Sequence, residues 1–246
     1  MYVKKLAVNK KNFVHHITDL NISFNSNDGG IDREILLKNN HEGIIQTTKG
    51  EPLLFCDATF KDNIQAMRKG AAVIIPKDIG FIIAECGLTK DSIILESGSG
   101  GGGATAHLAA LCKHVYSYDI NKNHLKTVQE NLERLELDNV TLEECNIIDA
   151  TPKEQVDLAL IDLPEPTIAI PKIKEVVKQG GFIVFYTPQI SQAQEVIGQL
   201  DEDFRVMRTI ELIQRDWVVE EKKLRPSHQM LGHTAFLTIA RIFRKE

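Results

Sequence analysis

A glycine-rich run followed by an acid is the stretch of this chain whose residue types and spacing best suit chemistry. Residues 96–103 read ESGSGGGG, and glycine leaves the main chain open to a ligand. The apolar residues 93–95 before the run predict a strand, and the apolar residues 104–112 after it predict a helix, whose first amides favour negative groups. Asp119 ends the next predicted strand, residues 115–118, where an acid accepts both hydroxyls of a ribose. This order predicts a site for a cofactor that contains a nucleoside.

Two cofactors fit that pattern, a dinucleotide and S-adenosylmethionine, because both carry an adenosine ribose. The spacing Glu96-x-Gly98-x-Gly100 favours S-adenosylmethionine. Gly103, however, satisfies the third glycine of a dinucleotide motif. The loop alone therefore leaves both cofactors open.

Polar residues follow two more predicted strands. Asp162 comes directly after residues 158–161 and begins the sequence Asp-Leu-Pro-Glu-Pro, whose prolines stiffen the turn. Asn146 follows the predicted strand 141–144. Ligands of such sheets gather at the carboxyl ends of the strands. Asp162 is therefore a candidate for chemistry on a bound group, with capping of the following helix as the alternative.

The order of the remaining elements favours one of the two cofactors. Residues 124–135, 172–178 and 191–200 read as helices, with Gly180-Gly181 ending the second, and residues 182–186 read as a strand. The last two predicted strands, 204–212 and 234–241, have only an irregular segment between them. That segment contains too little helix for a parallel crossover connection. We therefore expect these two strands to pair antiparallel. An α/β sheet that ends in this way is typical of methyltransferases and favours S-adenosylmethionine.

The chain is expected to contain a small β-rich domain over residues 1–60, a helical linker over 61–90 and a catalytic domain over 91–246. Short apolar segments separated by glycine, asparagine and proline predict the β-rich part. In the linker, Pro76 is expected to end one helical segment and Asp78 to cap the next.

Composition sets limits on the class of protein. With 43% hydrophobic residues the chain can bury a substantial core, and no apolar run reaches the length of a membrane span. The N-terminal residues lack the features of a signal peptide, so a cytoplasmic protein is expected. The four cysteines form no metal-binding pattern. A net charge of −5 argues mildly against a nucleic-acid partner, although Lys222, Lys223 and Arg225 can form a local basic patch.

Taken together, these residues resemble the tRNA (adenine-N1)-methyltransferases that modify the T loop, of the archaeal and bacterial homotetrameric type. Residues 68–70, Arg-Lys-Gly, and 73–78, Val-Ile-Ile-Pro-Lys-Asp, look like the lead-in to that family's catalytic domain. Glu211, Arg215 and Trp217, with residues 225–237, RPSHQMLGHTAFL, look like its terminal signature. The resemblance covers most of the chain.

The resemblance implies a class I methyltransferase fold, in which a seven-stranded sheet with a terminal antiparallel pair follows a small β-rich domain. It also implies S-adenosylmethionine as cofactor, no metal, a tRNA substrate, a homotetramer and no membrane partner. The catalytic residue is expected to be Asp162. The residues expected to bind the cofactor are Glu96, Ser97, Gly98, Ser99, Gly100, Gly101, Gly102, Asp119, His124 and Asn146. The residues expected to bind the substrate are Tyr186, Lys222, Lys223, Arg225 and His228.

This sequence departs from the family pattern at three places. Thr167 stands where a tryptophan often follows the proline, and Ile75 replaces an aromatic residue or histidine. Residues 101–103 are richer in glycine than usual.

Three other functions remain open at this point. A methyltransferase of the same fold that acts on a small molecule or a protein would keep the glycine loop, and the fold alone does not exclude it. A non-catalytic RNA-binding subunit is disfavoured by the intact Gly98, Gly100, Asp119 and Asp162. A nicotinamide-dependent reductase is disfavoured by the expected terminal antiparallel pair.

Overall fold

The protein divides into two compact units, which a computed structural model describes over residues 1–38, 43–68, 70–71 and 73–245. The first unit holds Met1–Arg68 and Asn131–Glu136, and the second holds Lys69–Glu130 and Leu137–Glu246. The expected linker, residues 61–90, is divided between them.

The first unit is rich in strands, as expected. Its four-stranded antiparallel sheet has the order β2-β1-β6-β5, and β3 and β4 form a separate hairpin. Alternation along β6 buries Leu53 and Phe55 against Ile17 and Leu36. The elements are β1 (Lys5–Val8), β2 (Val14–Ile17), β3 (Phe24–Ser26), β4 (Gly29–Ile31), α1 (Arg33–Leu37), β5 (Gly43–Gln46), β6 (Pro52–Asp57) and α2 (Phe60–Gln65).

The second unit alternates strands and helices around one sheet. Its elements are α3 (Pro76–Glu85), β7 (Ile93–Ser97), α4 (Gly103–Leu111), β8 (His114–Asp119), α5 (Lys122–Leu135), β9 (Val140–Glu144), β10 (Val156–Ile161), α6 (Ile170–Val176), β11 (Val177–Thr187), α7 (Ile190–Gln199), β12 (Phe204–Glu211), β13 (Trp217–Glu220), β14 (Lys223–Pro226) and β15 (Phe236–Ile242). The last residues of α5, from Asn131 on, belong to the first unit.

The sheet of the second unit has seven strands in the order β12-β15-β11-β10-β7-β8-β9. Pairing is parallel from β11 to β9, whereas β15 is antiparallel to both β11 and β12. The expected sheet and its terminal antiparallel pair are therefore confirmed.

Both faces of this sheet are covered, which explains why its central strands are continuously apolar. On one face, Phe185 of β11 packs in a cluster with residues of α6 and α7. On the other face, Tyr186 packs in a cluster with Ile79 and Ile82 of α3. No helix among the residues described is long and apolar enough to cross a membrane.

Three local expectations are wrong. Gly180-Gly181 does not end α6, because β11 already begins at Val177 and runs through both glycines. The pairing of β11 with β10 shifts register in this region, between Val156 and Leu158, so the glycines belong to an irregular strand. The segment expected to be irregular holds the hairpin β13–β14.

The third correction concerns the start of α3. Pro76 begins this helix at its first position, where its missing N–H costs no hydrogen bond. The residue before the helix is Ile75, and no side chain caps the helix. Asp78 lies inside the first turn and is therefore not a cap.

Candidate functional site

The carboxyl ends of β7, β8, β9 and β10 surround a cavity of about 790 Å³. Strand pairing sets Ser97 beside Tyr118 on one side and Ile161 on the other, so the loops after these strands meet at one edge of the sheet. Seven of the predicted site residues line the cavity, namely Ser97, Gly98, Gly100, Asp119, His124, Asn146 and Asp162.

Asp119 is held in one orientation by three neighbours. Its Oδ2 accepts a hydrogen bond from the Gly100 N–H at 3.1 Å and lies 3.1 Å from His124 Nδ1. Its Oδ1 accepts from the Asn121 N–H at 2.8 Å. These contacts fix a carboxylate at the cavity wall, as the binding of a ribose requires.

Asn146 lies at the same wall, after β9. Its Oδ1 accepts a hydrogen bond from the Ile148 N–H at 3.2 Å and so begins a short turn of 3₁₀ helix, Ile147–Asp149. This contact holds the Asn146 side chain next to the cavity, where it was expected to bind the cofactor.

Glu96 does not line the cavity, although it was expected to bind the cofactor. Its carboxyl group is buried and accepts hydrogen bonds from the hydroxyls of Thr105 and Ser117, each at 2.6 Å. Ser99 joins the same cluster through its hydroxyl, 2.7 Å from that of Ser117. Burial raises the pKa of the Glu96 carboxyl to about 7. Glu96 and Ser99 therefore organise the loop from behind.

The glycines of the loop leave room for a backbone carbonyl group at one position and for side chains at two others. Gly98 has a φ of +93°, and a Cβ there would stand 2.0 Å from the carbonyl oxygen of Asp162. A Cβ at Gly101 would stand 2.8 Å from a methyl of Val73, and one at Gly102 would stand 3.1 Å from Val128. Gly101 and Gly102 do not line the cavity, and their lack of a side chain leaves room for Val73 and Val128.

Within the part of the chain that the structure describes, no hydrogen bond reaches the Asp162 carboxylate at the cavity wall. Its backbone is fixed, because its N–H donates to the carbonyl oxygen of Ser97 at 2.9 Å. Burial raises the pKa of the Asp162 carboxyl to about 6. The following 3₁₀ turn, Pro166–Ala169, begins after Glu165 and has no side-chain cap, so the capping alternative is wrong.

Tyr186 lies beside Asp162, because β10 and β11 pair Ile161 with Phe185 and each chain then continues by one residue. Its side chain is 8% exposed and does not line the cavity, contrary to expectation. The hydroxyl instead donates to Asp78 Oδ2 at 3.0 Å.

Asp78 is fully buried and forms an ion pair with Lys77, whose Nζ lies 2.6 Å from Asp78 Oδ1. The same ammonium donates to the Thr234 hydroxyl at 2.8 Å. Asp78 therefore joins α3, β11 and the residues just before β15. No sequence pattern indicated this cluster, because Tyr186 and Thr234 lie far from Lys77 and Asp78 along the chain.

The terminal signature contacts a residue of the cavity wall. His233 Nε2 lies 2.8 Å from the carbonyl oxygen of Pro188, a residue of the cavity wall, and His233 Nδ1 contacts Glu211. The hydrogen bond with Glu211 raises the pKa of the His233 imidazole, which favours its charged form.

Several wall residues were missed from sequence, including Ile120, Asn121, Leu163, Gln189 and Gln192. All of them except Gln192 lie one or two residues after the end of a strand, and that position could have identified them. The Gln192 amide donates to the carbonyl oxygen of Pro164 at 2.9 Å, which ties α7 to the turn after Asp162.

The predicted basic residues lie on or beside the hairpin β13–β14 and do not line the cavity. Lys223 pairs with Glu220 across the two strands, and Arg225 pairs with Val218, so all four residues lie on the same face of the hairpin. Lys223 Nζ lies 3.1 Å from a carboxylate oxygen of Glu220, with both side chains largely exposed. His228 is exposed beyond the end of β14.

The groups that line the cavity suit an adenosyl group. They combine a fixed carboxylate at Asp119, apolar walls at Ile120 and Ile147, and the backbone of Gly98 and Gly100. Among the residues described, no three His, Cys, Asp or Glu side chains are grouped so that they could hold a metal.

Comparison with known proteins gives one family for most of the second unit. The family model described as the tRNA methyltransferase complex GCD14 subunit matches residues 64–228. The tRNA (adenine(57)-N(1)/adenine(58)-N(1))-methyltransferase TrmI of Methanocaldococcus jannaschii is 29% identical over 98% of this chain and 96% of its own. The tRNA (adenine(58)-N(1))-methyltransferase TrmI of Thermus thermophilus is 30% identical over 89% of this chain and 88% of its own.

Among solved structures, an S-adenosylmethionine-dependent O-methyltransferase from Thermotoga maritima superposes with a TM-score of 0.87. The match covers 100% of this chain and 94% of that one at 24% sequence identity. At this identity the two proteins share the fold, and the fold is that of class I methyltransferases.

Proposed function

The chain belongs to the family of the GCD14 subunit of the tRNA methyltransferase complex, and from this we propose that it transfers a methyl group from S-adenosylmethionine to N1 of an adenine in the T loop of tRNA. The two relatives differ in name over whether one or two adenines are modified. Mapping of the methylated nucleotide in a tRNA transcript answers that question for this protein.

The carboxylate of Asp162 is the observation that carries the proposed chemistry. It lies at the cavity wall, and no hydrogen bond from the described residues occupies it. Adenine N1 has its own lone pair, so the enzyme need not generate a nucleophile. It must orient the base and stabilise the positive charge that spreads over N1 and the exocyclic amino group.

We assign both tasks to Asp162. A carboxylate that accepts hydrogen bonds from the amino group fixes the base and opposes its positive charge. A pKa of about 6 leaves Asp162 mostly ionised near neutral pH, and it also suits the carboxylate to accept a proton from the methylated base.

The cofactor is assigned to the other side of the cavity. Asp119 is proposed to accept both ribose hydroxyls, Asn146 and His124 to contact the adenosine, and Gly98 and Gly100 to contact the cofactor through the main chain. When bound, S-adenosylmethionine supplies an electrophilic methyl group.

The hairpin β13–β14 supports proposals for both macromolecular partners. One face presents Lys223 and Arg225, and we propose that these residues, with Lys222 and His228, contact the tRNA. The opposite face presents Val219 and Leu224, which are 73% and 76% exposed.

An exposed two-stranded hairpin is marginally stable in water, so its apolar face needs a cover. We propose that other copies of this chain cover it in a homotetramer. A tRNA substrate also supports a cytoplasmic location.

Replacement of Asp162 with Asn tests the proposed chemistry. Asn keeps the size and one acceptor but removes the charge, so single-turnover methylation of tRNA should slow about a hundredfold or more. Binding of S-adenosylmethionine, measured by calorimetry, should stay unchanged, because Asp162 is assigned to the base.

Asp157→Asn is the matched control, since Asp157 lies near the start of the same strand and accepts a hydrogen bond from the Ile93 N–H. Its rate should equal that of the wild type. An Asp162→Asn enzyme that binds cofactor and works within a few-fold of the wild type would show that Asp162 does not stabilise the methylated base.

A further inference from the structure

We propose that Asp78 is a positioning residue for methyl transfer, which holds Tyr186 in place beside Asp162. This inference rests on the proposed function and extends it to a residue of α3 that does not touch the cavity. Asp78 has no exposed surface and accepts the Tyr186 hydroxyl at 3.0 Å.

The hydrogen bond between Asp78 and Tyr186 spans 108 positions along the chain and joins a helix to the sheet that it covers. Tyr186 follows Phe185, and Phe185 pairs with Ile161 immediately before Asp162. The tyrosine ring thus stands next to the backbone that carries Asp162, on the sheet face that α3 covers. A ring held at both its Cα and its hydroxyl has one orientation.

The Asp78 carboxylate, which accepts the hydrogen bond from Tyr186, has a charged partner in Lys77. A buried carboxylate without a counter-ion takes up a proton or disrupts its surroundings. Lys77 supplies the counter-ion at 2.6 Å, and its side chain is 12% exposed. The ion pair with Lys77 therefore offsets the cost of burying the Asp78 carboxylate that accepts from Tyr186.

The hydroxyl of Tyr186 keeps its proton. Burial, followed by the charge of Asp78 and the hydrogen bond to it, raises the pKa of Tyr186 above its ordinary value. The hydroxyl is consequently a permanent donor to Asp78. Tyr186 then acts through the position of its ring beside the backbone of Asp162, while its hydroxyl remains bound to α3.

A third segment closes the cluster. The Lys77 ammonium donates to the Thr234 hydroxyl at 2.8 Å, and Thr234 lies just before β15, which pairs with Tyr186 through Leu237. Tyr186 lies in β11, and Asp78 is linked through Lys77 to the start of the neighbouring strand β15. Both partners of the hydrogen bond are thus attached to the same region of the sheet. A contact that served stability alone could be lost without any change in the rate of methyl transfer, and this difference can be measured.

The experiment compares Asp78→Asn, Tyr186→Phe and the double variant in single-turnover methylation of tRNA at saturating cofactor. Each single variant should slow the step by about tenfold or more, because small displacements of groups around reacting atoms have large effects on rate. The double variant should be no slower than the slower single variant, because both changes remove one contact. Dissociation constants for S-adenosylmethionine and tRNA should stay within about twofold of wild type.

Two controls separate positioning from general destabilisation. Asp157→Asn removes a carboxylate that is also paired with a lysine, Lys178, at 2.7 Å. Tyr116→Phe removes the hydroxyl of another buried tyrosine of the sheet. Both should keep the wild-type rate at temperatures below their melting transitions.

Additive losses in the double variant would overturn the inference, as would a Tyr186→Phe rate within about twofold of the wild type. If Asp78→Asn does not fold, Tyr186→Phe decides alone, because it deletes one oxygen atom and keeps the ring. A wild-type protein that binds cofactor but methylates no tRNA would instead refute the proposed function, and this inference with it.

Discussion

Two acids near the glycine loop illustrate how hydrogen-bond partners decide the role of a residue. Loss of solvent contact raises the pKa of both Glu96 and Asp162. Glu96 is bonded to Thr105 and Ser117 and lies away from the cavity, whereas Asp162 lies at the cavity wall without a partner among the residues described. The first is suited to hold the loop and the second to bind a substrate.

Replacement of Glu96 with Gln should reduce the pH dependence of stability. The folded protein holds the Glu96 proton up to about pH 7, whereas the ordinary pKa is 4.5. The group therefore stabilises the fold fully below its ordinary pKa, and this contribution is lost as the pH rises through about 7. Urea unfolding across this range should show the wild type losing on the order of 3 kcal/mol more than the variant.

Glu154→Gln is the control for that measurement, because Glu154 is exposed and pairs only with Lys113 within the described chain. It should follow the wild type at every pH. Equal pH dependence in the wild type and in Glu96→Gln would show that the Glu96 pKa is not raised by burial.

At the scale of elements, the glycine loop is fixed by protein contacts on more than one side. Gly98 allows the end of β10 to approach, and Gly101 and Gly103 allow Val73 to pack against the start of α4. The loop is therefore a junction of three segments as well as a ligand-binding surface.

Gly98→Ala should damage both the fold and the reaction. The left-handed φ of +93° is strained for alanine, at a cost of roughly 1 to 3 kcal/mol. The new Cβ would also collide with the Asp162 carbonyl oxygen and displace that residue. We expect a lower melting temperature, and a lower single-turnover rate even where the variant is folded.

Gly198→Ala is the matched control in α7, where a Cβ meets nothing within 4 Å. Alanine is the better helix former, so this variant should gain up to about 1 kcal/mol and keep full activity. A Gly98→Ala variant with wild-type stability and rate would show that the loop can move away from Asp162.

For the molecule as a whole, the net charge of −5 does not determine whether it can bind tRNA. Association depends on the local field, and Lys223 and Arg225 share one face of an exposed hairpin. The opposite face is apolar. The two faces of the hairpin therefore predict two different partners.

Replacement of Lys222 and Lys223 with Ala should weaken tRNA binding and flatten its salt dependence. Each lost phosphate contact lowers the slope of log K against log salt by about 0.7 to 0.9. Titrations over a range of salt concentrations measure this slope. The double variant of Lys113 and Lys178, near the opposite edge of the sheet, makes the same change in charge and should keep the wild-type slope. An unaltered slope for the hairpin variant would move the tRNA-binding face elsewhere.

Replacement of Val219 and Leu224 with Asp should dissociate the proposed tetramer. These two residues face each other across the hairpin, and charges there would be buried at a subunit interface. Light scattering should give a lower mass for this variant than for the wild type.

Ile44 and Leu54 provide a matched control for the tetramer, since they are also an exposed apolar pair across two antiparallel strands. Their replacement with Asp should leave the mass unchanged. Dissociation by this pair and not by the hairpin pair would assign the interface to the first unit.

The sequence by itself determined the order of strands and helices in the second unit and the acids that end the strands. The pattern of apolar residues and the positions of glycine and proline are local properties of the sequence. Asp119 and Asp162 could therefore be placed at one edge of a sheet before any contact was known. The antiparallel position of β15 followed from the lack of a helix in the connection before it.

Only the tertiary structure decided which side chains meet across that framework. Asp78 read as a helix cap until the structure brought it to Tyr186, because no local pattern encodes a contact over 108 positions. Gly101 read as an opening for a ligand until Val73 was found beside it. Glu96 read as a cofactor contact until its partners Thr105 and Ser117 were seen to hold it behind the loop. In each case the local sequence fixes the backbone conformation, whereas packing between distant segments decides what the side chain touches.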